Sequence, residues 1–397
     1  MLKTMSFFYR FLCGAISLVC FCTPAQAAPN PSLQCAGVNL KQAFTSDTAW
    51  SMCLSLDDQE GLTVNQLTYT TANRTRRVLG KGSLAQLETV FDDNRNPPSF
   101  ATTREGFGGN QLISLKSKDC EGGSLYADQT GRKVICSRLQ TAGLLYNYAY
   151  QAQRQTSFLE IFSISQTTDF QTYTQRWRFY ENGVIEPALG FSGKIPRYAP
   201  VSLGFGRTVK NSEQLALGFS NYLGWRLDFD LGKDSDNDRV KELTSTLSAS
   251  RRQRRLGIAV LDTEAARDLN PELKTTWLVE DGDEVNEFGQ AIAYEIIPSQ
   301  YYQSTSNVRG RPWLANDLYF TRYKECEKYA SDNNSSDCAR NVLHYIQDKE
   351  NINRADLVVW YKQHYHYLPR SDDSDYISTD WVSFQLMPRD WTAGNPL

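Results

Sequence analysis

The sequence is poor in histidine, in clustered positive charge and in long apolar runs. Only three of its 397 residues are histidines. Its lysines and arginines form no basic stripe, which argues against a nucleic-acid partner. The apolar run near its start, residues 11–22, is too short to be a good membrane span. No repeat, low-complexity linker or break in composition divides the chain, which predicts one large domain.

The first 27 residues have the features of an export signal. Lys3 and Arg10 give a positive start, an apolar segment follows, and Ala25-Gln26-Ala27 is a small-residue cleavage site. We therefore expect a mature chain of residues 28–397 without a membrane span. Its expected location is periplasmic or extracellular.

Cysteine usage agrees with export. Of nine cysteines, six lie beyond the predicted signal, and they fall in sequence as three local pairs. An even number in an exported chain indicates disulfides, although six cysteines allow 15 connectivities. Because nearest-neighbour pairing closes short loops between predicted strands, we favour the set Cys35–Cys53, Cys120–Cys136 and Cys326–Cys338.

Aromatic and β-branched residues, often alternating with polar ones, predict a mostly β fold. The expected architecture is one large antiparallel β-sandwich. The clearest strand signals are residues 62–69, 158–164, 223–231, 357–368 and 381–386. Asn182-Gly183 predicts a hairpin turn. Helical patterns are few and are confined to residues 83–90, 263–269 and 339–348.

Several segments, in order from about Trp50 to the C-terminus, resemble the catalytic domain of copper amine oxidases. They are D-C-E-G at 119–122, W-R-F-Y-E-N-G at 177–183, R-L-D-F-D at 226–230, D-L-Y-F-T-R-Y at 317–323, D-L-V-V-W at 356–360 with Pro369-Arg370 and Asp373, F-Q-L-M-P at 384–388, and Asn395-Pro396. The resemblance implies the antiparallel β "supersandwich" of that domain, here over residues 28–397 and without the family's small N-terminal domains. It also implies a homodimer with exchanged hairpin arms.

In the family, a tyrosine is converted to the quinone TPQ, an aspartate acts as general base, and three histidines hold copper. Counting from the matched segments, the tyrosine position falls on Gln171 and the aspartate position on Ala101. The three copper-ligand positions fall on Phe219, Asn221 and Tyr367. All five functional residues of the family are therefore replaced, and we expect neither TPQ nor copper.

The resemblance does preserve a second, structural metal site. Asp228, Asp230 and Asp356 match its carboxylates, and Phe229 and Leu357 match the residues that supply backbone oxygens. Such an all-oxygen set suits a hard cation such as Ca²⁺. Salt-bridged or capped loop acids are the alternative. The nearby acidic run at residues 234–238 lacks the rest of an EF-hand loop, and we expect it to form a polar hairpin loop.

Two other patterns could carry the family's chemistry. Tyr148 follows an asparagine, but the surrounding motif does not match. His364 and His366 form an H-x-H pair, and alternate strand residues share one face. Because they differ in parity from Tyr367, we expect them to point away from the old copper position, as a surface pair or an adventitious metal site.

We therefore expect an exported pseudo-enzyme that binds an unknown small molecule or protein partner. One alternative is an enzyme of another class that reuses the old pocket, lined by Gln171, Tyr173, Asn221 and Tyr367. A second alternative is an active copper and TPQ amine oxidase, if the registers counted above are wrong.

Overall fold

The computed structural model describes residues 35–397, apart from residues 72–73, 94–98, 150, 168–170, 196, 200–205, 209–214, 251, 299–310, 371–372, 374–375 and 395–397. The predicted export signal lies outside the described residues. In chain order the strands are Val38–Ala43 (β1), Ala49–Asp57 (β2), Gly61–Thr71 (β3), Arg74–Phe91 (β4), Ser99–Phe100 (β5), Ser124–Ala127 (β6), Lys133–Tyr148 (β7), Ala152–Gln166 (β8), Gln171–Tyr180 (β9), Ile185–Lys194 (β10), Arg197–Ala199 (β11), Gly206–Thr208 (β12), Leu215–Leu217 (β13), Phe219–Gly232 (β14), Asp238–Leu247 (β15), Arg254–Leu261 (β16), Ala265–Arg267 (β17), Thr276–Val285 (β18), Ala291–Pro298 (β19), Leu318–Arg322 (β20), Leu357–Tyr367 (β21) and Tyr376–Arg389 (β22).

Helices are short in the described part of the chain. One α-helical turn, Val342–Tyr345 (α1), is joined by 3₁₀ turns at Gly109–Gln111, Ser117–Cys120 and Pro312–Ala315 and by a π-helical turn at Ala101–Glu105. Among the described residues, none of these helices has the length and hydrophobicity that crossing a bilayer requires.

The strands form two large sheets and one small sheet. The nine-stranded sheet has the order β1-β2-β3-β4-β14-β21-β20-β17, with β5 paired to β4. The ten-stranded sheet has the order β16-β15-β18-β19-β22-β10-β9-β8-β7-β6. Strands β11, β13 and β12 form the small sheet. The fold is mostly β with antiparallel pairing, as the sequence predicted.

The main hydrophobic core draws side chains from both large sheets. Trp225 of β14 and Trp177 of β9 are buried from opposite sheets, with ring centroids 5.6 Å apart in an edge-to-face arrangement. Gly82 on β4 leaves room for this contact, because a Cβ there would lie 2.7 Å from Trp177. Aromatic side chains of this size stabilise a core mainly through the large apolar area that each buries.

The strand predictions are confirmed, and so is the turn at Asn182-Gly183, where Gly183 has a φ of 89°. The three cysteine pairs are also disulfide-bonded as predicted. They are Cys35–Cys53, Cys120–Cys136 and Cys326–Cys338.

The helix predictions are largely wrong. Residues 83–90 lie in β4, which pairs with β3 and β14. This stretch is almost continuously buried, so it lacks the alternation that marks a strand with one solvent-facing side. Residues 263–269 contain the short strand β17, and only Val342–Tyr345 of residues 339–348 is α-helical.

The polar hairpin loop expected at residues 234–238 is also wrong. The chain leaves β14 in the nine-stranded sheet and enters β15 in the ten-stranded sheet, so this segment connects the two sheets. Asp238 is fully buried at the start of β15 and accepts a hydrogen bond from the Leu231 N–H. Sequence pattern does not distinguish a crossing of this kind from a hairpin.

Candidate functional site

Polar side chains from both large sheets meet around Gln171, the position that the sequence predicts to replace the family's quinone precursor. Gln171 begins β9, and its Oε1 accepts a 2.6 Å hydrogen bond from the Tyr173 hydroxyl. From the other sheet, the Thr89 hydroxyl lies 2.6 Å from Asn221 Oδ1 and 3.4 Å from the Tyr173 hydroxyl. All four side chains are buried. The structure therefore brings together Gln171, Tyr173 and Asn221, which are 50 residues apart at their extremes in sequence.

Aromatic rings occupy the neighbouring position. Phe219 on β14 is the register partner of Tyr367 on β21, and their ring centroids lie 5.0 Å apart. Phe91 adds a third ring, 6.1 Å from Phe219. The side chains of β13 and two further residues complete a separate small core around these rings: Ile195, Leu215, Ala216, Leu217 and Ile377.

The Tyr367 hydroxyl is held by a carboxylate. It donates a 2.6 Å hydrogen bond to Asp373 Oδ2, which also accepts from the Arg370 N–H. Burial, followed by this hydrogen bond and the negative charge of Asp373, raises the pKa of Tyr367. Burial likewise raises the pKa of Tyr173. Both phenols are therefore protonated at neutral pH.

Little space remains between these groups. The cavity that touches both Gln171 and Tyr367 has a volume of about 10 Å³, which is room for at most one water molecule. Its walls are Gln171, Tyr173, Phe191, Ser192, Phe219, Tyr365, Tyr367 and Ile377.

Ala101, which the sequence predicts to occupy the family's general-base position, begins the π-helical turn Ala101–Glu105. The preceding strand β5 pairs with β4, where Ser99 lies opposite Thr89. The chain path thus brings Ala101 close to the strand that supplies Thr89. Thr89 was missed by sequence reasoning, because its link to Asn221 depends on β4–β14 pairing that no local motif announces.

Asp228, Asp230 and Asp356 converge where β14 and the start of β21 meet. Each offers a carboxylate oxygen, and these oxygens all lie within 4.8 Å of one another. Gly80 on β4 permits this approach, because a Cβ there would lie 2.9 Å from Asp230 Oδ2 and 3.2 Å from Asp228 Oδ2. Phe229 and Leu357 are register partners beside the carboxylates, so their backbone carbonyls belong to the same region.

The electrostatics of this carboxylate cluster suit a cation. Burial raises the pKa of Asp228 to about 8 and that of Asp356 to about 6, and the mutual repulsion of the carboxylates adds to both shifts. Arg226 and Arg77 form loose ion pairs with Asp228 and Asp230, at nitrogen–oxygen distances of 4.0 Å and 3.7 Å, and their positive charges oppose the rise in pKa without cancelling it. Within the described part of the chain, one buried oxygen each of Asp228 and Asp356 has no hydrogen-bond partner. The residues therefore fit a hard cation such as Ca²⁺.

The two alternative motifs lie elsewhere. Tyr365 packs inward on Phe191, with ring centroids 4.9 Å apart. Its neighbours His364 and His366 therefore project from the opposite face of the sheet. Tyr148 ends β7 with 68% of its surface exposed.

Comparison with known proteins identifies the class. Residues 40–397 match the family model described as copper amine oxidase, enzyme domain, and the chain belongs to this family. The histamine oxidase of Arthrobacter globiformis is 24% identical over 92% of this chain and 58% of its own length. A diamine oxidase of Nicotiana tabacum is 19% identical over 87% of this chain and 49% of its own length.

Solved structures share the fold. A copper-containing benzylamine oxidase from Hansenula polymorpha superposes with a TM-score of 0.72 at 18% identity, covering 87% of this chain and 59% of that chain. The lysyl oxidase of Pichia pastoris superposes with a TM-score of 0.73 at 18% identity, covering 93% of this chain and 56% of that chain. The chain thus spans about half to three-fifths of the length of these relatives.

Proposed function

We infer that this chain is an exported member of the copper amine oxidase family that does not oxidise amines through copper and TPQ. Its role in this proposal is to bind a ligand or partner as a pseudo-enzyme. The single observation that carries the proposal is the packed Phe91–Phe219–Tyr367 cluster at the copper-ligand positions.

The replacing residues lack the groups that the family's chemistry needs. Gln171 has no ring that could be oxidised to a quinone, and Ala101 has no group that could accept a proton. Phe219 has no donor atom for a metal. The Tyr367 phenol is protonated and hydrogen-bonded to Asp373, so it is a poor ligand at neutral pH.

The alternative of an enzyme of another class is less well supported. A new reaction at Gln171, Tyr173, Asn221 and Tyr367 needs room for a substrate, and the cavity there is about 10 Å³. The alternative of an active amine oxidase rests on the names of the relatives. It requires another tyrosine as the TPQ precursor, and Tyr148 lies exposed at the end of β7.

The proposal includes a structural cation, such as Ca²⁺, at Asp228, Asp230 and Asp356. It also includes a homodimer. Two long hairpins, β7–β8 and β15–β16, present exposed apolar side chains to solvent, as expected of arms that embrace a second subunit. These side chains include Leu139, Leu144, Tyr148, Leu256 and Ile258. Export, to the periplasm or the extracellular space, is supported by the three disulfides.

An oxygen-uptake assay tests the proposal. The purified chain is loaded aerobically with Cu²⁺ and given histamine, methylamine or benzylamine, with the histamine oxidase of Arthrobacter globiformis as positive control. We expect oxygen uptake no faster than in the mixture without protein. Sustained uptake that depends on the amine would overturn the proposal.

A further inference from the structure

The outer face of the nine-stranded sheet carries two histidines side by side. His364 and His366 alternate along β21, where their register partners on β14 are Tyr222 and Ser220. Their imidazole rings are nearly parallel, with an interplanar angle of 14° and centroids 6.4 Å apart. This face is opposite to the one that carries Phe219 and Tyr367.

A carboxylate reaches the same place from a third strand. Asp92 directly follows β4, and its backbone N–H donates a hydrogen bond to the Gly218 carbonyl. Both Asp92 carboxylate oxygens lie 3.0–3.1 Å from His366 Nε2. Gly218 is needed for this approach, because a Cβ at that position would clash with Asp92 Oδ2.

The pair is accessible from solvent. The His366 and Asp92 side chains are 35% and 29% exposed, which leaves a path from solvent.

We propose that His364, His366 and Asp92 bind a divalent transition-metal ion on the outer face of the sheet. Two imidazoles and one carboxylate are a donor set that suits zinc, copper, nickel or iron. The ion takes the place of the proton between His366 and Asp92. His364, which stacks on Tyr222 with ring centroids 4.8 Å apart, turns from that ring to complete the site. The proposal does not depend on whether the chain oxidises amines.

Zinc is the best probe. A copper titration would be harder to interpret, because copper would also bind at the family's copper site if that site were functional. The full chain, purified without a histidine tag and stripped with a chelator, is titrated with Zn²⁺ by calorimetry at neutral pH. We expect one Zn²⁺ per chain. Loss of an outer-shell partner alone costs about 10–100-fold in metal affinity, so His364→Gln, His366→Gln and Asp92→Asn should each weaken binding at least ~10-fold.

His344→Gln is the matched control, since His344 is the one other histidine of the chain and lies in α1. It should bind Zn²⁺ as the unmodified chain does. In the unmodified chain, zinc should shift the imidazole NMR signals of two histidines and leave that of His344 in place, a readout that needs no variant.

Three results would overturn the site. The first is that the unmodified chain binds no Zn²⁺. The second is an adventitious ion only, which would show as binding that His344→Gln weakens as much as His366→Gln does. The third is that the NMR signals of His364 and His366 do not move when zinc is added. Thermal unfolding of each variant identifies any that fails to fold.

Discussion

Phe219, which the sequence predicts to occupy a copper-ligand position of the family, contacts two other aromatic rings. The ring is 3% exposed and packs against Phe91 and Tyr367. A histidine here would lose these contacts and bury a polar ring without a metal partner. Under the proposed correspondence, a position that binds copper in the family has become a packing position in this chain.

Truncation of this ring should be costly. We expect Phe219→Ala to lower the free energy of unfolding by about 3–5 kcal/mol, because it removes a buried aromatic ring and leaves a cavity. Phe288→Ala is the control, since Phe288 is 74% exposed and should change stability by less than ~0.5 kcal/mol. Chemical denaturation measures both. Equal small effects would show that the cluster does not stabilise the fold.

Glu327 predicts a pH dependence. Burial raises its pKa to about 7, although the positive charges of Lys324 and Arg226 oppose the shift. The carboxyl group of the folded chain therefore holds a proton that the unfolded chain releases at a pKa near 4.5. Stability contributed by that proton is present below about pH 4.5 and is lost as the pH rises through about 7.

The variant Glu327→Gln should remove this fall in the free energy of unfolding with rising pH, because glutamine does not titrate. Relative to the unmodified chain, it should gain roughly 1–3 kcal/mol in the free energy of unfolding between about pH 5 and about pH 8. Glu325→Gln, at an exposed position two residues away, is the control and should follow the unmodified chain. A constant difference between Glu327→Gln and the unmodified chain across this range would contradict the assignment.

At the scale of strands, the sequence predicted most long strands correctly but assigned part of β4 to a helix. β14 was predictable because its aromatic residues and leucines alternate with polar residues, and β21 because it is rich in aromatic and β-branched residues. β4 was not, since a strand buried on both faces lacks alternation, and Ser83 and Gln86 imitate a helix cap. In the structure the Ser83 hydroxyl instead donates a hydrogen bond to Glu60. Local spacing cannot reveal such a long-range partner.

The same limit applies to the site. The positions of Gln171, Phe219, Asn221 and Tyr367 could be counted along the chain from family segments. The contact of Thr89 with Asn221 and the closure of the cavity depend on how the sheets pack, which no local pattern encodes. Residues 168–170, which precede Gln171 in the family motif, lie outside the described residues.

The carboxylate cluster between β14 and β21 predicts a response to calcium. Ca²⁺ should raise the free energy of unfolding by about 1–3 kcal/mol when it is present well above its dissociation constant. In Asp228→Asn the response should vanish, and the chelated protein should be more stable than the unmodified chain, because folding no longer has to keep a proton on a buried carboxyl group whose pKa is raised to about 8.

Asp234→Asn is the matched control for calcium, because Asp234 is exposed in the adjoining loop. It should keep the full response. Thermal unfolding with and without chelator provides the measurement. The cation site is wrong if millimolar Ca²⁺ leaves the unmodified chain unchanged.

At the scale of the whole molecule, the exposed apolar side chains of strand β16 predict self-association. β16 is an edge strand of the ten-stranded sheet, with Leu256 and Ile258 66% and 61% exposed. An uncovered edge of this kind is a liability for a monomer. A second copy of the chain would cover it.

Sedimentation tests this association. The unmodified chain should sediment as a dimer, and Leu256→Lys with Ile258→Lys should shift it to monomer without loss of folded signal. Phe288→Lys is the control, because Phe288 is exposed but lies outside β16, and this variant should remain a dimer. A monomeric unmodified chain would exclude the homodimer.

The whole account depends on the absence of a quinone. The most direct measurement is redox-cycling quinone staining, with a visible spectrum, of the purified chain after aerobic incubation with Cu²⁺. The account predicts no stain and no visible quinone band, even if copper binds at His364 and His366. A positive stain that maps to a tyrosine of this chain would contradict it.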